Sequence, residues 1–365
     1  MKKIISRALA VVLASCLAVG CASASSSTTT ADSSSTAQSE TLSVVTTIFP
    51  IYDWTKEILG EDLENVTLTY LEDTGVDVHS FEPTVDDMVT MTNCDMFIYV
   101  GGESDTWVAA VLANAENPDM VVINLTEVLG DAVMEEAEVE GMQEHDHDHD
   151  DEEVEDDHDH DDEEVEDDHD HDDEEVEDDH DHDDEEAELD EHVWLSLNNA
   201  AVVCQVIADE LAALNPAQAD LYAANAANYL SQLSELDAQY QAVVAQANQT
   251  TLLFADRFPF LYLMEDYGLS YYAAFAGCSS ETEATFETIA FLAGKLDELE
   301  LTVVLTTEDP APSVAETVIA SSVSADQIIL ALDSMQAVTA AEVASGASYL
   351  SIMESNLEVI AQAVQ

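Results

Sequence analysis

The histidines are the residues of this 365-residue chain whose positions most directly suggest chemistry. Nine of the 11 histidines lie in an acidic tract whose unit, HDHDDEEVEDD, recurs every eleven residues. Imidazole and carboxylate groups together suit borderline divalent ions such as Zn²⁺, and clustered histidines are a compositional sign of metal binding. The tract therefore predicts weak capture of several ions, with a solvated acidic spacer as the alternative. Its candidate ligands are His145, His147, His149, His158, His160, His169, His171, His180 and His182.

The two histidines outside the tract need separate explanations. His79 lies in GVDVHSFEPT, and His192 lies in DEHVWLSL, directly after the tract. A single buried histidine is more often a hydrogen-bonded core residue. Two such histidines, each near acidic residues and turns, favour metal ligation in a chain that also contains a histidine-rich tract. Asp256 and Asp333 each end a predicted strand, where ligands of open parallel sheets bind. The candidate metal ligands are therefore His79, His192, Asp256 and Asp333.

Composition excludes some classes of function. The formal net charge is −74 and Lys plus Arg total 6, three of them within the first seven residues. The chain therefore lacks the basic patch that nucleic-acid or anionic-membrane binding requires, whereas its acidic residues attract cations. Neither HExxH, HxxEH nor GxSxG occurs, so we expect no enzyme. A zinc hydrolase with three protein ligands and an open water position is the remaining catalytic alternative.

The start of the chain has the pattern of an export signal. MKKIISR precedes an apolar run too short for a transmembrane helix, which predicts a signal peptide over 1–20. Cys21 follows, and then a Ser/Thr-rich tether over 21–41, as in bacterial lipoproteins with lipid on the cysteine thiol. Cys16 and a plain secretory cleavage site are the alternatives. The other cysteines have no CxxC spacing and are assigned no chemistry: Cys94, Cys204 and Cys278.

The remaining chain alternates short apolar runs with helical periods, which predicts parallel sheets covered by helices. We expect an α/β lobe over 42–215, containing a disordered metal-binding loop over 135–190. A helix rich in Ala, Leu, Gln and Glu over 216–248 should join it to a second α/β lobe over 249–365. The predicted fold class is α/β, with two lobes that each contain a small parallel sheet flanked by helices, joined by one long linker helix.

Several motifs resemble the metal-binding lipoproteins of ABC importers for zinc and manganese. They are GVDVHSFEPT, DEHVWLSL, the Ala-rich helix, DYGL, ETEATFET and GASYLSIMESNL, and the resemblance covers nearly all of Leu42–Gln365. It implies a receptor outside the cytoplasm, anchored to a bacterial membrane by lipid, which captures Zn²⁺ between its lobes. The implied partners are an ABC permease and its ATPase, and the receptor is expected to be a monomer. In this family, the histidines matching His79 and His192 are ligands.

The third ligand of the family does not carry over. It lies about eleven residues before the Gly of the YGL motif, and here that position is Arg257, which cannot ligate. Asp256 could serve as the third ligand if the turn beside it were shifted. Asp333, which matches the family's C-terminal aspartate, could instead complete the site together with water. Glu308 is a weaker candidate. Arg257 could equally pair with Asp256 or Asp333. The histidine tract favours zinc, with a Mn²⁺ receptor or a surface storage or adhesive protein as alternatives.

Overall fold

The structure is a computed structural model, and it describes residues 41–136, 138–143, 188–279, 283–307 and 312–365. Thr41–Gln365 forms one compact unit. Several predicted features lie outside the described residues: the signal peptide over 1–20, the lipidation site Cys21, the tether up to residue 40, the histidines from His145 to His182, and Glu308.

The first lobe is a parallel sheet of four strands with the order β2-β1-β3-β4. The strands are β1 Leu42–Thr46, β2 Val66–Tyr70, β3 Met96–Tyr99 and β4 Val121–Asn124. The helices are α1 Phe49–Leu59, α2 Val85–Asn93, α3 Val108–Leu112, α4 Leu125–Leu129 and α5 Leu197–Leu214. Helices cover a parallel sheet because its crossovers run over its faces.

Helix α5 is, among the described residues, the one helix long and apolar enough to cross a membrane. Its apolar side chains Val203, Ile207 and Leu211 are nevertheless buried in the main core, where α5 packs against α1 and against the long helix that follows α5 in the chain. Core packing therefore accounts for the apolar composition of α5.

The linker helix α6 extends over Ala219–Val244 and contacts α1 and α5 in the first lobe and the last helix of the chain, α11 (Tyr349–Ala363), in the second. It is shorter than the predicted 216–248, and its 26 residues span about 39 Å. It ends early because the backbone N–H groups of Asn248 and Gln249 both donate to the carbonyl of Val364. These tertiary hydrogen bonds draw the chain out of the helix.

The second lobe is also a parallel sheet of four strands, with the order β6-β5-β7-β8. The strands are β5 Thr251–Phe258, β6 Ser270–Ala276, β7 Val303–Thr306 and β8 Ile328–Ala331. The helices are α7 Leu261–Tyr267, α8 Phe286–Glu298, α9 Ser313–Ser321, α10 Ala340–Ala344 and α11 Tyr349–Ala363. The predicted fold class, two such lobes with a linker helix, is confirmed.

Two element boundaries lie inside apolar runs of the sequence. In the run MVVINLTEV, strand β4 ends at Asn124, because the Asn124 side chain accepts a hydrogen bond from the Glu127 N–H and so begins α4. In the run RFPFLYLMEDYG, helix α7 begins only at Leu261, because β5 continues to Phe258 after a register irregularity that follows Phe254. In both cases local hydrogen bonding overrides the apolar pattern.

The two ends of the predicted loop 135–190 are held together. Glu135 and Leu189 form an antiparallel bridge, and the Asp190 N–H donates to the carbonyl of Met134. The chain therefore returns, at Leu189, to a place beside Glu135, where the predicted loop starts. His192 follows that place directly.

Tyr349, at the start of α11, connects segments that are far apart in sequence. Its ring packs edge-on against Trp54 of α1, with the ring centroids 5.1 Å apart, and its backbone N–H donates to Asp53. Its hydroxyl donates to the carbonyl of Trp194 at 2.7 Å, and the Trp194 indole N–H donates to the carbonyl of Ser334 at 2.8 Å. These buried contacts tie α11 to the DEHVWLSL segment and to α1.

Replacement of Tyr349 by Phe should lower the free energy of unfolding by about 1–2 kcal/mol, because it leaves the buried Trp194 carbonyl without its donor. Urea denaturation monitored by circular dichroism measures this change. The control is Tyr52→Phe, since Tyr52 is a half-buried tyrosine whose ring stacks on Tyr70. Equal stability of Tyr349→Phe and the parent chain would contradict the role given to this hydroxyl.

Candidate metal centre

His79 is held by a short 3-10 helix, Val78–Ser80, that follows β2. Asp77 caps this helix, with Oδ1 accepting from the His79 N–H at 3.1 Å. The other oxygen, Oδ2, accepts from the Arg257 guanidinium at 2.9 Å. Arg257 of β5 therefore braces, through Asp77, the segment that carries His79.

His192 is fully buried and is oriented by Asp190. The Oδ1 atom of Asp190 accepts both from the His192 backbone N–H at 2.8 Å and from the imidazole Nδ1 at 3.0 Å. Asp190 is itself held by Tyr262, whose hydroxyl donates to the Asp190 carbonyl at 2.7 Å. Because a carboxylate only accepts, the Nδ1 of His192 carries a proton, and its Nε2 is the ring nitrogen that remains for other contacts.

The imidazoles of His79 and His192 meet at their Nε2 atoms, which lie 3.2 Å apart. The Nδ1 of His79 lies 2.8 Å from the Ser104 hydroxyl. The Gln336 amide nitrogen lies 2.8 Å from the Nε2 of His79 and 3.0 Å from that of His192, while its carbonyl accepts from Ser334. An amide nitrogen only donates, so both Nε2 atoms act as acceptors. Two lone pairs thus converge on one point, as metal ligation requires.

The protonation state of His79 suits ligation. Burial, and next the neighbouring His192, lower the pKa of His79 to about 4. Its imidazole is therefore neutral at neutral pH, the form in which histidine binds metals.

Cys278 lies beside the two histidines, although its spacing in the sequence gave no indication of metal chemistry. Ligand atoms of His79, His192 and Cys278 all lie within 4.8 Å of one another. Cys278 follows β6 after Gly277, where an added Cβ would stand only 2.9 Å from Cε1 of His192 and 3.0 Å from the Phe258 carbonyl. Only glycine permits this close approach. The signal that could have found Cys278 is its position at the carboxyl end of a strand.

A cleft of about 270 Å³ opens beside His79 and Cys278. Its other lining residues are mostly acidic: Glu103, Ser104, Glu136, Glu188, Leu189 and Glu191. Burial raises the pKa of the Cys278 thiol, and the nearby Glu136, Glu191 and Asp190 raise it further. An acidic cleft of this kind raises the local concentration of cations.

The structure places Asp256 and Asp333 outside the group formed by His79, His192 and Cys278. Asp256 holds β5 to the end of β7, since its carboxylate accepts from the Thr307 N–H at 3.0 Å and the Thr307 hydroxyl at 2.9 Å. The carboxylate of Asp333 accepts from the Met335 N–H at 2.8 Å. Ligation by either aspartate stays a prediction.

Known proteins share this architecture. The chain matches the family described as zinc-uptake complex component A, periplasmic, over residues 44–363. It is 28% identical to the zinc-binding protein AdcA of Streptococcus pyogenes over 323 residues, which cover 87% of this chain and 55% of AdcA. It is 27% identical to the high-affinity zinc uptake system protein ZnuA of Bacillus subtilis over 324 residues, which cover 89% of this chain and 88% of that protein.

A solved structure agrees with the fold. The zinc-bound ZnuA-like domain of Streptococcus pneumoniae AdcA superposes with a TM-score of 0.63 at 24% identity, covering 88% of this chain and 98% of that one. The chain therefore belongs to the ZnuA family of zinc-uptake components. This is a family of transport components that act outside the cytoplasm. The chain spans about half the length of the AdcA relatives it matches.

Replacement of Asp190 by Asn should weaken zinc binding about 10- to 100-fold, because the carboxylate fixes the tautomer and orientation of His192. Competition with a fluorescent chelator measures the affinity. Glu188→Gln is the matched control, since it removes an equal charge from the same cleft. Equal affinities of the two variants would show that Asp190 acts only through its charge.

The loop that carries Ser104 also contains a buried acid, Asp105, which accepts from the Gly101 N–H. Burial raises the pKa of Asp105 from 3.8 to about 6. As pH rises through this window the unfolded chain releases the proton first, so stability falls. The free energy of unfolding, relative to Asp105→Asn, should drop by up to about 3 kcal/mol between about pH 4 and pH 7.

Urea denaturation across this pH range tests the expectation. The exposed substitution Asp119→Asn should give a curve parallel to that of the parent chain. If Asp105→Asn also gave a parallel curve, Asp105 would not have the raised pKa.

Proposed function

We propose that this protein is an extracytoplasmic receptor that captures Zn²⁺ between its two lobes and delivers it to an ABC permease. The observation that carries the proposal is the convergence of two imidazoles, with their Nε2 atoms 3.2 Å apart. Two nitrogen ligands of one tetrahedral zinc ion, at about 2.0–2.1 Å each, lie about 3.3 Å apart. The site therefore requires little rearrangement of His79 and His192 to bind zinc.

Three further observations support zinc as the cargo. The curated relatives are named for zinc binding or zinc uptake. The cleft beside His79 is lined by four glutamates, which attract cations. Imidazole ligands suit zinc better than manganese, for which carboxylate and water ligands are typical.

The proposal extends to the cellular setting. The receptor is anchored through lipid on Cys21, works with a permease and its ATPase, and acts as a monomer. The acidic histidine tract, which ends shortly before His192 in the sequence, collects ions near that residue. Asp333 together with water completes the coordination, with Asp256 as the alternative carboxylate.

Calorimetric titration of the chain from Thr41 with Zn²⁺ and Mn²⁺ tests the receptor. We expect one tight zinc site plus weak sites, with only the tight site remaining after deletion of 144–184. His79→Ala and His192→Ala should each weaken this site by at least about 100-fold, because each removes a ligand. Gln205→Ala, on the exposed side of α5, is the control.

Other results would overturn the receptor. Tight manganese binding with weak zinc binding would make it a manganese receptor. Loss of all tight binding on deletion of 144–184 would indicate a storage or adhesive protein. Hydrolysis of esters or peptides by the zinc-loaded chain would revive the hydrolase alternative.

A further inference from the structure

We propose that Cys278 is the third protein ligand, so that the captured ion is bound by two imidazoles and one thiolate. This inference rests on the proposed zinc-receptor function and specifies the chemistry of its site. Neither the histidine motifs nor the two candidate aspartates imply it. Through Cys278 the second lobe binds the ion directly, although Arg257, which occupies the position of the family's third ligand, cannot ligate.

Geometry supports Cys278 first. Its sulfur belongs to the only group of three potential ligands that the described residues form within 4.8 Å, together with His79 and His192. In a tetrahedral zinc site with Zn–S of about 2.3 Å and Zn–N of about 2.0–2.1 Å, sulfur and nitrogen ligands lie about 3.6 Å apart. A side-chain movement on the order of 1 Å therefore completes the site. Cys278 also lines the same cleft as His79.

The backbone around Cys278 supports the same conclusion independently. Gly277 packs directly against His192, and an added Cβ there would collide with the imidazole and with the Phe258 carbonyl. The Cys278 N–H donates to Glu136 Oε1 at 3.1 Å, which fixes the segment to the edge of the cleft. Two separate contacts thus hold the cysteine beside the fully buried histidine.

Formation of the zinc–sulfur bond breaks the S–H bond, and the proton passes to solvent through the open cleft. No electron transfer is involved. The thiolate contributes one negative charge, so the ion with its three ligands carries a net charge of +1. The acidic residues Glu136 and Glu191 of the cleft balance that charge. Because thiolates are soft ligands, this set favours Zn²⁺ over Mn²⁺.

Cobalt spectroscopy tests the proposal, because thiolate ligation to Co²⁺ gives a charge-transfer absorption in the near ultraviolet that imidazole and carboxylate ligands do not give. The chain from Thr41 is titrated with Co²⁺ and then with Zn²⁺. We expect the charge-transfer band to appear with one equivalent of Co²⁺ and to disappear when Zn²⁺ replaces it. Ions bound by the histidine tract do not contribute to this band.

The variants assign the band to one cysteine. Cys278→Ala should abolish it and weaken zinc binding by about tenfold or more. Cys94→Ala and Cys204→Ala are the controls, since both residues are buried cysteines outside the group, and both variants should keep the band. A second measurement needs no variant: bound zinc should protect Cys278 of the parent chain from alkylation, as read by peptide mass spectrometry.

The outcomes separate this inference from the function on which it rests. Tight zinc binding without a charge-transfer band, or with Cys278 alkylated as fast as in the metal-free chain, overturns the role of Cys278 and leaves the receptor intact. Absence of any tight zinc site in the parent chain overturns both. A band that survives in Cys278→Ala would assign the sulfur ligand elsewhere and also refute the proposal.

Discussion

The approach of the two imidazoles, with Nε2 atoms 3.2 Å apart, is the interaction on which the site depends. Two histidines separated by more than a hundred residues face each other only because each ring is held from behind. Asp190 holds His192, and Ser104 holds His79. Both Nδ1 atoms are thereby engaged, and both Nε2 lone pairs face one point. The Gln336 amide satisfies these lone pairs, which would otherwise be costly buried acceptors.

A second set of contacts joins the site to the interior of the protein. The Trp194 ring lies against His192, with centroids 5.3 Å apart, and its N–H donates to the carbonyl of Ser334. Ser334 in turn donates to Gln336, and Tyr349 donates to the Trp194 carbonyl. A side chain that moves to admit an ion therefore perturbs contacts of α11. The linker helix α6, whose backbone hydrogen bonds resist sharp bending, favours small adjustments of this kind over wide opening.

The sequence predicted the fold class because short apolar runs alternate regularly with helical periods. It singled out His79 and His192 as candidate metal ligands because they are the only two histidines outside the acidic tract. It did not indicate that Cys278 lies beside them, because the close approach of Gly277 to His192 is a contact visible only in three dimensions. It offered Asp256 and Asp333 as partners of Arg257 and did not indicate Asp77. The guanidinium donates to Asp77, a residue 180 positions away that no local pattern connects to it.

Anomalous X-ray diffraction at the zinc edge, from crystals of the zinc-loaded chain, would show directly whether the two histidines bind the ion. We expect one strong anomalous peak between the Nε2 atoms of His79 and His192, with weaker peaks, if any, elsewhere. A strong peak away from both histidines, or no peak between them in crystals that contain zinc, would contradict it.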